Sequence, residues 1–277
     1  VGRLPDGAAY YQAMLKLFTT TDYTPEQVHA IGLAEVARID GEMDALLDGQ
    51  GLTEGTVAER MAALARDPRF LLPDTDEGRA QLLERYRSIL DDVAARMPEY
   101  FRRIPPGKLA VERVPVSAEK GSAGAYYNPA ALDGSRPGTF FANLRDTSET
   151  ATWSMKTLAY HEGIPGHHFQ IDLAHGLEGL PLIRQQPIYS AFTEGWALYA
   201  ERLAAEIGLY DDDPFGDLGR LQAEMYRAVR LVVDTGIHAK GWNRAEAVEY
   251  MVGTTGSAKK RSSPRSSATW RCRGRPL

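Results

Sequence analysis

The chain has 277 residues, 43% hydrophobic and 25% charged, enough for a sizeable core and unlike a disordered or fibrous composition. Its net charge of −5 is uneven: residues 257–277 hold seven Lys or Arg and no acid, leaving −12 on the body and arguing against a nucleic-acid surface there. No run of about 18 apolar residues could span a bilayer, the N-terminus has no signal-peptide pattern, and the lone Cys272 excludes an intrachain disulfide and an all-thiolate zinc site.

The opening Val1 to Gly7 reads as loop from inside a protein, so an upstream portion is expected to have been removed. Thr24-Pro25-Glu26 supplies a cap, a proline at the first helical position and an early acid, predicting a helix through Leu47. A second long helix is expected from Asp76 to Tyr100, with Ala80, Leu83, Tyr86, Leu90 and Val93 along one face. From Leu109 to Val116 apolar and charged residues alternate. Gly138 to Leu144 is β-rich after an Arg136-Pro137-Gly138 turn, and together these predict a small antiparallel sheet. Four helical segments should follow: Thr152 to His175, Pro187 to Ile207, Pro214 to His238, and one capped by Asn243 ending near Val252. No internal repeat or Gly/Ser-rich linker divides this body, so residues 1–256 are expected to form one core. Residues 257–277 lack apolar periodicity and are expected to be disordered. A misread end without evolved function is favoured over a basic arm for nucleic acid or membrane.

Four of the six histidines fall within fifteen residues, at His161, His167, His168 and His175. A zinc hydrolase needs neutral imidazoles as ligands and a carboxylate to activate water, and His161-Glu162 offers both side by side. The familiar His-Glu-x-x-His spacing works because residues i and i+4 share a helical face. Here the spacing is wider. On a straight helix His161 and His168 share a face but stand about 10 Å apart, and His161 and His167 point to different sides. Pro165 removes the hydrogen bond to the His161 carbonyl, and Gly166 loosens the backbone, so a bulge there is expected to return a second histidine to the metal. Spacing leaves His167 and His168 both open. Glu194, on a later helix, is the expected third ligand, with Gly195 permitting close helix approach. Glu201, two turns on, reads instead as a solvated or structural acid.

The segments Tyr160 to Gln170, Thr193 to Glu201 and Asp234 to Trp242 resemble the bacterial family known as domain of unknown function 885, thought to be related to the gluzincin metallopeptidases. The resemblance covers residues 1 to about 256. It implies that His161, His167 and Glu194 bind zinc, that Glu162 is the general base, and that His168 is the more variable histidine. Gluzincin-like enzymes also carry a downstream oxyanion-stabilising group. His238 is the candidate, although a histidine at a helix C-terminus also suits the dipole. Phe140 to Leu144 resembles the edge strand along which such enzymes lay a peptide, with Asn143, Tyr127 and Arg230 as substrate-binding candidates. The family pattern begins earlier and ends later than this chain, so a core without its ends is expected. The whole implies a mainly α-helical, zinc-metallopeptidase-like fold with a small antiparallel sheet bordering the cleft. Its expected action is hydrolysis of a peptide or small amide. The rivals are an inactive binding module and a zinc hydrolase of other amides or esters.

Overall fold

In the computed structural model, which describes residues 4–185 and 189–256, fourteen regular elements follow in chain order. They are α1 (Gly7–Thr19), α2 (Pro25–Gly49), α3 (Val57–Leu64), α4 (Asp76–Tyr100), β1 (Leu109–Arg113), α5 (Val116–Glu119), β2 (Ala125–Asn128), β3 (Gly138–Ala142), α6 (Met155–Glu162), α7 (His167–His175), α8 (Leu182–Gln185), α9 (Ser190–Glu206), α10 (Pro214–His238) and α11 (Arg244–Thr255). Short 3-10 turns lie among them. The fold is mainly helical, as expected. The expected disorder of residues 257–277 falls outside the described residues, as does the start of the segment predicted from Pro187.

The described chain forms two compact units, residues 4–67 with 221–256, and Pro68–Arg220, the division falling within α10. In the first, local chemistry sets the helix starts. Thr24 with Gln27, Thr56 with Glu59 and Asn243 with Glu246 each form a capping box that satisfies orphan amides at both positions. Gly32 lets α2 lie close on α10, because a Cβ there would sit 2.8 Å from Val232 Cγ2 and 2.9 Å from Leu231 Cβ. Arg60 is buried and reaches Asp44 and Asp48 of α2, keeping its charge paired.

In the second unit α4 buries Leu82, Tyr86, Leu90, Val93 and Met97. The expected stripe held at Tyr86, Leu90 and Val93, whereas Ala80 is exposed and Leu83 only partly covered. Tyr86 and Leu90 pack with Val111, Phe140, Met155 and Ala159, and Val93 and Met97 with Tyr160, Phe169, Ala204 and Tyr210. α4 is thus the floor on which the sheet, α6, α7 and α9 rest.

The sheet differs from the antiparallel one expected. Its order is β1-β3-β2, with β1 parallel to β3 (Val111 opposite Phe140) and β2 antiparallel to it (Tyr127 opposite Phe140). Residues 114–137, carrying α5 and β2, provide the crossover a parallel pair requires. β3 is therefore the central strand, and the expectation of an edge strand for a substrate peptide is overturned. Both of its sides already carry ladder bonds, and all but Phe141 of its residues are buried. Near-continuous burial is what a covered central strand shows.

Candidate metal centre

The segment expected as one distorted helix is two helices with a complete break at residues 163–166. Gly163 ends α6, its amide donating to the Ala159 carbonyl at 2.8 Å, and Gly166 precedes α7. The Ile164–Pro165 peptide is cis. A Cβ on Gly166 would overlap the carbonyl oxygens of His161 and Tyr160, so the tight reversal requires glycine. The reversal puts His161, in the last turn of α6, beside His167, the first residue of α7. Their ring centroids are 4.8 Å apart and nearly perpendicular at 81°. A straight helix would have turned these rings apart.

α9 supplies the third group. Glu194 Oε2 is 3.5 Å from His161 Nε2, and its Oε1 is 3.7 Å from His167 Nε2. One potential ligand atom from each of the three residues lies within 4.8 Å of the others. Tetrahedral bonds of 2.0–2.1 Å imply donor separations of about 3.4 Å, near the approach each imidazole makes to its own oxygen of the Glu194 carboxylate. Two imidazoles and one carboxylate match the His₂Glu donor set of catalytic zinc sites. The imidazoles are largely buried, whereas the Glu194 side chain is 61% exposed, so the cluster opens to solvent on the Glu194 side.

Behind His161 stands Glu201. His161 Nδ1 lies 2.7 Å from Glu201 Oε1, and Glu201 is 1% exposed. Of the two expectations for Glu201, a solvated or a structural acid, the solvated one is corrected: it is deeply buried and paired. Its signal lay in the seven-residue spacing from Glu194, which puts two acids on one helical face. The small residue that lets α9 approach is also not Gly195, which is exposed with open space around its would-be Cβ. Ala197, Ala200 and Ala204, all fully buried, form that face instead. Two further bonds fix α9: Trp196 Nε1 donates to Pro165 O at 2.8 Å, and Gln170 Nε2 donates to Phe192 O at 3.0 Å.

Geometry separates the two histidines that spacing had left open. His168 turns away from the triad, its Nδ1 sharing a 3.0 Å hydrogen bond with Tyr127 Oη, and it is 1% exposed. Burial holds its pKa below the ordinary imidazole value, partly opposed by the charge of Asp172. Burial also pushes the Tyr127 hydroxyl up to about 12, with Asp172 adding to the shift. That hydroxyl is engaged with His168. The Asn143 amide donates to the carbonyls of Glu119, Ser122 and Ala123 and ties the end of β3 to the segment before β2. Glu162, the last residue of α6, is buried, and its charge adds to burial in raising the pKa of Tyr86. Arg230 and His238 belong to the other unit. There Arg230 lies over the Tyr226 ring at 6.0 Å, and His238 packs on Tyr11 at 5.2 Å with Asp234 3.8 Å away.

The sequence profile of a bacterial family of unknown function, DUF885, matches residues 2–264. The chain belongs to this family. Two solved structures are similar to the DUF885 chain. One is provisionally described as a lipoprotein from Colwellia psychrerythraea, with 48% identity and a TM-score of 0.91 over 93% of this chain and 44% of its own. The other, from Shewanella oneidensis, is provisionally described as a lipoprotein of unknown function. It has 18% identity and a TM-score of 0.75 over 95% of this chain and 49% of its own, a likeness of fold alone. The DUF885 chain thus spans less than half the length of either. No curated protein matches it. Among the described residues no helix is long and apolar enough to cross a membrane.

Proposed function

We propose that this chain is a zinc-dependent hydrolase that cleaves peptide bonds. One observation carries the proposal: two imidazole nitrogens and a carboxylate converge to within 4.8 Å of one another, within reach of one small cation, on a face open to solvent. His161, His167 and Glu194 would hold the ion. Bound zinc would supply Lewis-acid polarisation of a carbonyl and acidify water. Glu162, next to His161, takes a proton from the attacking water on a carboxylate oxygen and passes it to the leaving amine nitrogen. Each imidazole keeps Nε2 free of a proton to serve as a ligand. These roles draw on the Pro68–Arg220 unit alone.

The test is mass spectrometry of products from mixed peptides, amides and esters, run on the zinc-loaded chain and on Glu162→Gln. Peptide fragments from the wild type, and none from the variant while zinc stays bound, are expected. Undiminished turnover in Glu162→Gln removes the general-base role. Cleavage of esters or small amides with peptides left intact replaces the substrate class.

A further inference from the structure

The mechanism above leaves unused the most deeply buried carboxylate near the triad. Glu201 is 1% exposed, a position where an ionised side chain is stable only with close partners. Its Oε1 lies 2.7 Å from His161 Nδ1, the length of a charge-assisted hydrogen bond. Glu194 and Glu201 stand seven residues apart on α9, two helical turns, so both face the same way. The His161 ring sits between them, one nitrogen toward each: Nδ1 toward Glu201, and Nε2 3.5 Å from Glu194 Oε2.

We propose that Glu201 is a positioning residue of the metal centre, fixing the His161 imidazole with its proton on Nδ1 and its Nε2 lone pair turned toward His167 and Glu194. The inference rests on the metal-centre reading of that triad. With Glu201 ionised its carboxylate can only accept, and the short contact then places the proton on Nδ1. A neutral ring protonated there has Nε2 as its lone-pair nitrogen, the atom that faces the cluster. An anionic acceptor behind the ring also makes Nε2 a stronger donor toward a cation. One helix therefore carries both a ligand and the group that orients another ligand. The rival role is a tie between α6 and α9 with no effect on metal binding.

Two variants separate these roles. Glu201→Gln keeps the size and can still accept the Nδ1 proton but carries no charge, and Glu201→Ala removes the acceptor. Imidazole nitrogen shifts of His161 would be read by NMR on metal-free chains labelled at histidine, and zinc affinity by competition with a chromogenic chelator. The wild type should show Nδ1 protonated and Nε2 bare. Glu201→Ala should lose that single tautomer, and both variants should bind zinc about 10–100-fold more weakly with an unchanged circular dichroism spectrum. If Glu201→Ala does not fold, the near-isosteric Glu201→Gln still decides on affinity. Wild-type zinc affinity in Glu201→Gln, with an unshifted His161 signature in any folded Glu201→Ala, overturns the role of Glu201 alone. A wild-type chain that takes up no zinc overturns the metal-centre reading and this role with it.

Discussion

Trp196 donates its indole N–H to the carbonyl of Pro165 at 2.8 Å, joining the helix that carries Glu194 to the break that separates His161 from His167. The bond spans two sequence-distant segments and sets the height of α9 against the reversal. The Pro165 carbonyl lies in that break, outside both flanking helices, so the indole satisfies a group that secondary structure leaves open.

Trp196→Phe should therefore cost about 1–2 kcal/mol of stability, because it leaves a part-buried carbonyl without this donor. It should also weaken zinc binding, since Glu194 sits two residues away. Urea unfolding and chelator competition on the same preparation would check both. Unchanged zinc affinity in a destabilised variant would show that the bond serves stability only.

Gly166, which precedes His167, and Gly195, which follows Glu194, should respond in opposite directions to alanine. Gly166→Ala drives a methyl into the carbonyls of His161 and Tyr160 and should cost about 1–3 kcal/mol together with zinc affinity. Gly195→Ala, in a helix with open space around the new methyl, should gain about 0.5–1 kcal/mol. Thermal unfolding of the pair would read the contrast.

Much of this was written locally. Caps at Thr24 and Asn243 and the stripe through Tyr86, Leu90 and Val93 marked α2, α11 and α4, because helix starts and faces depend on residues within a turn. The cluster at His161 and the importance of Pro165-Gly166 were also legible. What was not legible depends on long-range partners. The parallel pairing of β1 with β3 is set by where the crossover lands, and the turning of His168 out of the triad, which spacing left open and only the family resemblance anticipated, by Tyr127 on a strand 41 residues upstream. Glu201 looked like any helical acid until His161, 40 residues upstream, was seen against it. The partners of Asn143, the carbonyls of Glu119 at the end of α5 and of Ser122 and Ala123 after it, carry no sequence signature.

Acid should weaken the unit that holds α2 and residues 221–238 of α10. His29, bonded through Nδ1 to Thr235 Oγ1, and His238, facing Asp234, both sit below the ordinary imidazole value of 6.5. Burial is the larger cause in each; the charge of Lys240 adds to it at His29, while that of Asp234 opposes it at His238. Between the depressed folded values and 6.5 the unfolded chain binds more protons, so this stability is complete above about pH 6.5 and is lost as pH falls through the folded values. Urea midpoints at pH 8 and pH 5 should show the fall, with a shallower one in His238→Gln. An equal or steeper fall in that variant would contradict the assignment.

The most direct test of the metal centre is the zinc content of the wild type, His167→Ala and His168→Ala after dialysis against the same buffered zinc. The wild type and His168→Ala should each retain about one zinc per chain, and His167→Ala should lose it, because His167 joins His161 and Glu194 while His168 is bonded to Tyr127. Loss of zinc from His168→Ala with retention in His167→Ala, or no zinc in the wild type, would contradict the account.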